Sequence, residues 1–354
     1  MQALAVALLA VFQMLVPFGV SRDVSASSAG QSNGDAALRR EGEILASMAE
    51  AALAGRADGG DIALAWTNDF FKAQPGTFVP FTISFTAPEL SSRAALMYVR
   101  VERPQHGPRG RIREVPAYET IFPVRVEARP GQPVTLTRGF AVPPGRYRVA
   151  VVFREAPDTP LTPMPARKAG SLVLDLSVPD FWTGELAVST VMLADRVELL
   201  KEPIPQDEVD EHPYVVGMHR IHRVQSAVFP RNRELVATFL IYNPAVGADK
   251  HFDVQVDYHV FRKDLGAPEP GTRPPHARGE RPGERYVTRT NPQRFNPPMM
   301  GSRFDPAAGT PILAGQGIPL SGFDHGEYRL EITVTDLLSR KSLSRDVAFA
   351  VVGF

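Results

Sequence analysis

The sequence of 354 residues contains no cysteine, so it can form neither a disulfide framework nor a lipid-modified N-terminal cysteine. It also has no excess of charge, because 39 lysines and arginines balance 39 aspartates and glutamates. A chain with this balance generates no overall field that would attract nucleic acid or a charged membrane. The fold must therefore be stabilised by apolar cores, and the length allows two of them.

Catalytic and metal-binding signatures are scarce. No H-E-x-x-H motif or phosphate-binding glycine loop occurs. His219 and His222 are the closest pair of histidines, but positions i and i+3 of a strand point to opposite faces, so we expect surface residues and no metal site. The D-x-S-x-S string at Asp23–Ser27 resembles a metal-ion-dependent adhesion site, yet no parallel sheet follows to hold it. We predict no catalytic residue, no metal and no cofactor.

One long apolar run extends from Ala3 to Val20 and is interrupted only by Gln13. The small and polar residues SRDVSASSAG follow it, which is the order of a signal-peptide core and its cleavage zone. Because no lysine or arginine precedes the run, a signal anchor is the alternative for residues 1–29. Cleavage between residues 26 and 30 would give a periplasmic or extracellular protein.

After the leader, residues 30–60 predict a short amphipathic helix and a linker. The string GDAALRREGEILASMAEAALAG has apolar residues at helical spacing and ends on Gly55, a typical C-terminal cap. From Asp61 onward the pattern changes to short alternating runs separated by proline and glycine clusters. No helices of 10–15 residues intervene, so the rest of the chain is predicted to be all-β.

Two segments about 180 residues apart are nearly alike: GFAVPPGRYRVAVVFR at 139–154 and LSGFDHGEYRLEITVTD at 320–336. In each, a glycine turn precedes Tyr147 or Tyr328, which opens an alternating strand. Immunoglobulin-like domains have a corner tyrosine at this place, whose hydroxyl bonds to the preceding backbone. The repeat predicts two tandem immunoglobulin-like β-sandwiches, over residues 61–180 and 181–354.

Two features are candidate binding sites. The aromatic pair Phe181 and Trp182 lies at the junction, where it is either an exposed platform or, as we expect, buried between the modules. Residues 264–284, DLGAPEPGTRPPHARGERPGE, are rich in proline, glycine and charge, which predicts a long, mobile hairpin loop. The arginines in and beside this loop are candidate contacts for an acidic surface: Arg273, Arg278, Arg281 and Arg285.

Charge is patterned along the chain although it sums to zero. Asp195–Glu211 holds seven acidic and two basic residues, and Arg262–Arg303 holds nine basic and four acidic ones. These segments are either two solvated loops or the two sides of an internal or intermolecular contact.

The most distinctive strings are VPDFWTGELAVSTVMLAD and FLIYNP, followed by the C-terminal turn-GEYRL-ITVTD. Over about residues 61–353 the chain resembles an uncharacterised family of predicted exported bacterial proteins with tandem immunoglobulin-like domains. Its C-terminal module is similar to those of exported proteins with GWxTD-type or von Willebrand A-type regions. The resemblance implies fold and export only.

We therefore expect a non-enzymatic binding or scaffold protein of the cell envelope that contacts another envelope or extracellular protein. A carbohydrate- or cell-wall-binding module is the first alternative, and polysaccharide is its expected ligand. An enzyme with an unrecognised site is the second. A row of aromatics on a sheet face would favour the first, and a deep polar pocket the second.

Overall fold

The computed structural model describes residues 32–56, 60–74, 76–86, 90, 92–106, 112–127, 132–157, 167–205, 208, 211–263, 279–301 and 304–353. The predicted leader and positions 264–278 of the predicted loop lie outside these ranges. The chain divides into two compact units. The first ends at Asp180 and also includes the stretch 207–213, and the second comprises Phe181–Gln206 and Tyr214–Phe354.

The first unit contains a β-sandwich, sandwich 1, preceded by helix α1 (Ser32–Leu53). Its strands are β1 (Ala65–Asn68), β2 (Phe71–Lys72), β3 (Thr77–Phe85), β4 (Ala94–His106), β5 (Ile112–Arg125), β6 (Val134–Val142), β7 (Gly145–Glu155) and β8 (Ala169–Val178). One sheet has β3 at its centre, with β1 and β2 on one side and β6 on the other; the second has the order β5-β4-β7-β8. In the lettering of immunoglobulin-like sandwiches, β1 and β2 form strand A, β3 is strand B and β6 is strand E, and they face β5, β4, β7 and β8 as strands C′, C, F and G.

The second unit contains sandwich 2. Its strands are β9 (Ala187–Val188), β10 (Met192–Leu199), β11 (Val215–Val216), β12 (His219–Arg223), β13 (Val228–Pro230), β14 (Glu234–Tyr242), β15 (Val254–Lys263), β16 (Glu284–Arg289), β17 (Gln293–Phe295), β18 (Ile312–Pro319), β19 (Gly326–Asp336) and β20 (Lys341–Val352). Helix α2 (Pro297–Met300) and a 3-10 turn (Pro306–Ala308) connect β17 to β18.

The two sheets of sandwich 2 repeat the arrangement of sandwich 1. One has the order β11-β12-β10-β14-β18, with β9 also on β14, and the other has the order β13-β20-β19-β15-β16, with β17 also on β15. Every pairing is antiparallel except that of β13 with β20. The prediction of an all-β protein with two tandem immunoglobulin-like sandwiches and a short N-terminal helix is confirmed.

Alternating side chains fill a separate core in each sandwich. In sandwich 1 Phe81 and Ile83 of β3 are fully buried opposite Met97 and Val99 of β4. In sandwich 2 Phe239 of β14 is buried with side chains of β15, β18 and β19. Because the chain has no disulfide, the burial of these apolar side chains supplies the main driving force for folding.

The two repeated tyrosines occupy equivalent positions at the start of strand F. Tyr147 donates its hydroxyl hydrogen to the carbonyl oxygen of Pro143, and Tyr328 donates to that of Asp324, both at 2.6 Å. The preceding glycines, Gly145 and Gly326, have φ values of 150° and 152°, which side chains rarely tolerate. The glycine-x-tyrosine string therefore encodes both the turn and the hydrogen bond that closes it.

Helix α1 packs on the outer face of the β5-β4-β7-β8 sheet. Leu45 and Ala49 are completely buried against Leu96, Tyr98, Ala150 and Val152. At the C-terminus, Gly55 N–H bonds to Ala52 at 2.9 Å and Arg56 N–H to Ala51 at 2.8 Å, which is a Schellman cap. The helix is thus part of the first unit and is not a separate appendage.

Several strands differ from the sequence expectation. The alternating pattern predicts single strands at IALAW (62–66) and ELAVSTVMLA (185–194), but the first is a strand only from Ala65 and the second is divided between β9 and β10. β18 was not expected, because Gly315 and Gly317 interrupt its apolar pattern, yet it pairs with β14 over eight residues as strand E. The loop expected at 264–284 ends earlier than predicted, since β16 already begins at Glu284.

Candidate functional site

The described basic residues in and beside the predicted loop lie at one edge of sandwich 2. Arg273 and Arg278 lie outside the described residues, whereas Arg281 precedes β16 and Arg285 lies on it. β16 pairs with β15 on one side, and no described strand lies on its other side. We define the basic edge as Arg281, Arg285, Val287 and Arg289.

A buried arginine holds the start of this edge in place. Arg329 of β19 is 4% exposed, and its Nε and Nη2 donate to the two carboxylate oxygens of Glu284 at 2.8 and 2.6 Å. Its Nη1 donates to Glu331 at 2.7 Å and to Asp346 at 2.8 Å, and Nη2 also donates to the Gly279 carbonyl at 2.8 Å. All five guanidinium hydrogens therefore have a bonding partner.

The face of the guanidinium is covered as well as its rim. The central carbon of Arg329 lies 4.3 Å from the ring centre of Phe261, a buried residue opposite it on β15. Tyr286 of β16 packs edge-on against the same ring, with centres 5.9 Å apart. This cation–π stack and the five hydrogen bonds join β15, β16, β19 and β20 on the outer face of the sheet.

The turn before β16 belongs to the same network. Arg281 forms an ion pair with Asp346, and its N–H lies 3.3 Å from a carboxylate oxygen of Glu284. The Glu284 N–H in turn donates to the Arg281 carbonyl at 3.0 Å. The turn at 279–284 is therefore joined to the sheet by hydrogen bonds and an ion pair, although residues 281–283 are exposed, which corrects the expectation of a mobile loop for this part of 264–284.

The pKa values of the network follow from its pairing. The hydrogen bond from Arg329 lowers the pKa of Glu284, and the hydrogen bond to Glu284 raises the pKa of Arg329. Burial acts to raise the pKa of Asp346, but hydrogen bonds from Arg329 and Arg281 outweigh it and lower that pKa. All three groups are thus held in their charged forms, as expected of a structural ion network and not of an acid–base pair.

The predicted aromatic pair at the junction is divided by the structure. Phe181 is buried and packs on Tyr242 with ring centres 5.1 Å apart, whereas Trp182 is 44% exposed. The Asn243 side chain donates to the Phe181 carbonyl at 3.0 Å and so fixes the backbone beside Trp182. The expectation that both rings are buried is therefore wrong for Trp182.

The charged segments pair with neighbours in their own unit. In the acidic segment, Asp195 lies 3.4 Å from Arg233 and Glu198 lies 2.7 Å from His222. In the basic segment, Arg294 donates to Asp253, which the structure buries. No ion pair joins the two segments among the described residues, so an internal contact between them is not seen there.

The two close histidines have different environments. His222 is partly exposed beside Glu198, whereas His219 is only 5% exposed, in contrast to the expectation of two surface residues. Burial lowers the pKa of His219, and its Nε2 has no hydrogen-bond partner in the described part of the chain. Within that part no three histidine or acidic side chains converge on a possible metal position.

A depression of about 340 Å³ beside β6 is lined by Arg125, Glu127 and Gln132 among others. A G-x-S-x-G string at 30–34 overlaps the first residues of α1 and begins outside the described residues. No described helix is long and apolar enough to cross a membrane.

No protein-family model matches the chain, and no curated protein matches it in sequence. Among solved structures, the chain is similar to a mutant of Salmonella alpha-2-macroglobulin at 14% sequence identity and a TM-score of 0.21. The similarity covers 83% of this chain and 15% of the length of the macroglobulin. The immunoglobulin-like fold is shown by the strand order of the two sandwiches.

Sequence reasoning had included Arg281 and Arg285 but had missed Arg289, Val287 and the Arg329 network. The alternation in ERYVTR shows Arg285, Val287 and Arg289 at every second position, but it gives no sign of the bulge that places Arg285 and Arg289 on opposite faces. No local signal indicated the Arg329 network, because Glu284 and Arg329 are 45 positions apart.

Proposed function

We propose that this protein is an exported, non-enzymatic binding or scaffold protein of the bacterial cell envelope, which acts through protein–protein contacts made by sandwich 2. The observation that carries the proposal is the basic edge, an exposed strand edge whose starting turn is fixed by the buried Arg329 network. A rigid scaffold that presents an exposed charged strip is suited to binding, since little ordering is needed when a partner arrives.

Export is part of the proposal and is supported by the apolar run from Ala3 to Val20 with small residues behind it. Periplasmic or extracellular partners follow from that location. The absence of cysteine is compatible with such a location because each sandwich has a large apolar core of its own.

Capture from envelope extract tests the proposed function. The tagged full-length chain should retain a discrete protein at low salt and release it as salt rises, because exposed charges are screened. The double variant Arg285→Glu/Arg289→Glu should lose the protein. Arg345→Glu on β20 is the matched control, since Arg345 is also exposed and has no ion pair among the described residues. Equal capture by all three forms would contradict a role for the basic edge.

Carbohydrate binding is a second candidate, favoured by the 44% exposure of Trp182. Exposed aromatic rings stack on sugar faces, but no row of exposed aromatics lies on a sheet face within the described residues. Retention on cell-wall polysaccharide that Trp182→Ala abolishes and Arg285→Glu/Arg289→Glu preserves would establish this candidate in place of the first.

A further inference from the structure

The pairing of β16 with β15 has a bulge at Val287, and the backbone beyond this bulge is available for strand pairing on its outer side. Thr290 N–H donates to the Tyr258 carbonyl of β15 at 3.2 Å, so the N–H and carbonyl of the preceding Arg289 point away from β15 by the alternation of a strand. The Thr288 hydroxyl lies 3.4 Å from the Arg289 carbonyl oxygen, which is a long and weak contact. Such an edge can pair with another extended chain.

The edge of the other sheet of sandwich 2 is different, because side chains occupy its backbone. Gln293 donates its side-chain amide to the Gly315 carbonyl of β18, and Gln316 donates to the Gly317 carbonyl, both at 2.7 Å. Protection of this kind prevents pairing with a further strand. β13, at the opposite end of the sheet that contains β16, has only three residues and ends on a proline.

The side chains of β16 define the complementary ligand. Arg285 and Arg289 are exposed and have no ion pair with any described residue, and Val287 between them is 36% exposed. A bulge at Val287 places Arg285, opposite Arg262, and Arg289, opposite His259, on opposite faces of the sheet, so a matching partner strand would carry carboxylates on both of its faces. The unpaired part of β20 does not share this character, because Lys341 and Arg345 stand there beside Asp346.

We infer that the basic edge binds an extended acidic segment of a partner protein, which adds to sandwich 2 as a strand beside β16. This inference rests on the proposed function and names the chemistry of the partner. Main-chain hydrogen bonds to the free edge would supply affinity, and pairing of carboxylates with Arg285 and Arg289 would supply selectivity and register. The Arg329 network would keep the beginning of the edge in the conformation that the partner meets.

The test uses the full-length protein and a fluorescein-labelled, end-capped heptapeptide of glutamate and valine, Glu-Glu-Val-Val-Glu-Glu-Val, which has carboxylates on both faces when it is extended. Two control peptides accompany it: a lysine–valine peptide, and the glutamate–valine peptide N-methylated at every residue, which keeps its side-chain charge but loses all main-chain donors. Anisotropy measures binding, and hydrogen exchange followed by mass spectrometry reports on residues 284–289.

We expect the glutamate–valine peptide to bind and to slow exchange in β16, and neither control peptide to do so. Arg285→Glu/Arg289→Glu should weaken peptide binding about tenfold or more, because the charge attraction between the peptide carboxylates and the two arginines becomes repulsion. Arg345→Glu should bind like the parent. Peptide binding should also weaken as salt rises from about 50 to 500 mM.

Several results would overturn the inference. Equal binding of the N-methylated peptide would show electrostatic attraction without strand addition, and equal binding by the double variant would place the site elsewhere. If sedimentation showed a dimer of the parent that the double variant abolishes, the occupant would be a second copy of this chain. If the parent protein does not bind the peptide but still captures a protein from envelope extract, this inference alone is refuted. If the parent captures no protein at all, the proposed function is refuted.

Discussion

Replacing Tyr328 with phenylalanine should destabilise sandwich 2, and replacing Tyr147 with phenylalanine should destabilise sandwich 1. Each change removes one hydrogen bond of 2.6 Å to a backbone carbonyl and keeps a ring that is 1–2% exposed. No cavity forms, so the cost is that of the hydrogen bond alone, about 1 kcal/mol. Because Pro143 and Asp324 are exposed, water can partly replace the lost donor and the cost should not exceed about 1.5 kcal/mol.

The size of each unit converts this energy into a measurable shift. For units of roughly 150 residues, about 1 kcal/mol lowers the midpoint of thermal unfolding by about 2–4 °C. Hydrogen exchange in the full-length protein, followed in peptides from β7 and β19, reports the two sandwiches separately. Tyr147→Phe should accelerate exchange in β7 only, and Tyr328→Phe in β19 only.

Tyr286→Phe is the matched control, because the Tyr286 ring packs in sandwich 2 while its hydroxyl has no hydrogen bond among the described residues. It should leave both sandwiches at the stability of the parent. If both corner variants behave like this control, the corner hydrogen bonds contribute nothing and the reasoning fails. If either variant accelerates exchange in both sandwiches equally, the two units do not unfold independently.

Three further results are expected. Arg329→Met should destabilise sandwich 2 by about 3–5 kcal/mol, because the buried carboxylate of Glu284 loses its partner; urea unfolding measures this, and a loss below about 1 kcal/mol would contradict it. Glu284 and Asp346 have lowered pKa values in the folded state, so the stability they contribute is fully present above their unfolded-state pKa near 4 and is lost as pH falls through their folded-state pKa. Unfolding midpoints measured from pH 7 to pH 3 should show this loss of stability. If the parent loses no more stability than Arg329→Met over that interval, the two carboxylates do not contribute as expected. Leu45→Ala should weaken the docking of α1 by about 2–5 kcal/mol; limited proteolysis should then cut the helix faster than the sandwich, and unchanged cleavage would rule this out.

The positions of strands along the chain can be predicted from the sequence where the signal is local. Alternating apolar residues mark β3, β7 and β19, and the glycine-x-tyrosine string marks the start of strand F twice. β18 was missed because Gly315 and Gly317 stand in its middle and weaken the pattern. Its place is set by pairing with β14 from Glu234 to Ile241, which is information that lies far away in the chain.

The candidate site shows the same division between local and distant information. Proline, glycine and charge in residues 264–284 indicated a solvated loop, and local composition supports nothing else. Glu284 is nevertheless buried, because Arg329 on another strand supplies two hydrogen bonds to its carboxylate. His219 was assigned to the surface for a similar reason, since the residues that cover it cannot be inferred from the strand that carries it.

The Arg329 network also bears on why the basic edge exists. A buried ion network is not the most efficient way to stabilise a sheet face, because apolar residues of similar volume are often equally stabilising. The network also fixes relative positions, because the hydrogen bonds from one planar guanidinium hold the Gly279 carbonyl, Glu284 and Asp346 in a defined geometry. An apolar cluster would bury the same area without specifying the path of the chain into β16. The arginines that follow Glu284 are thus placed by a charge network within the sheet, which is consistent with an edge whose geometry matters to a partner.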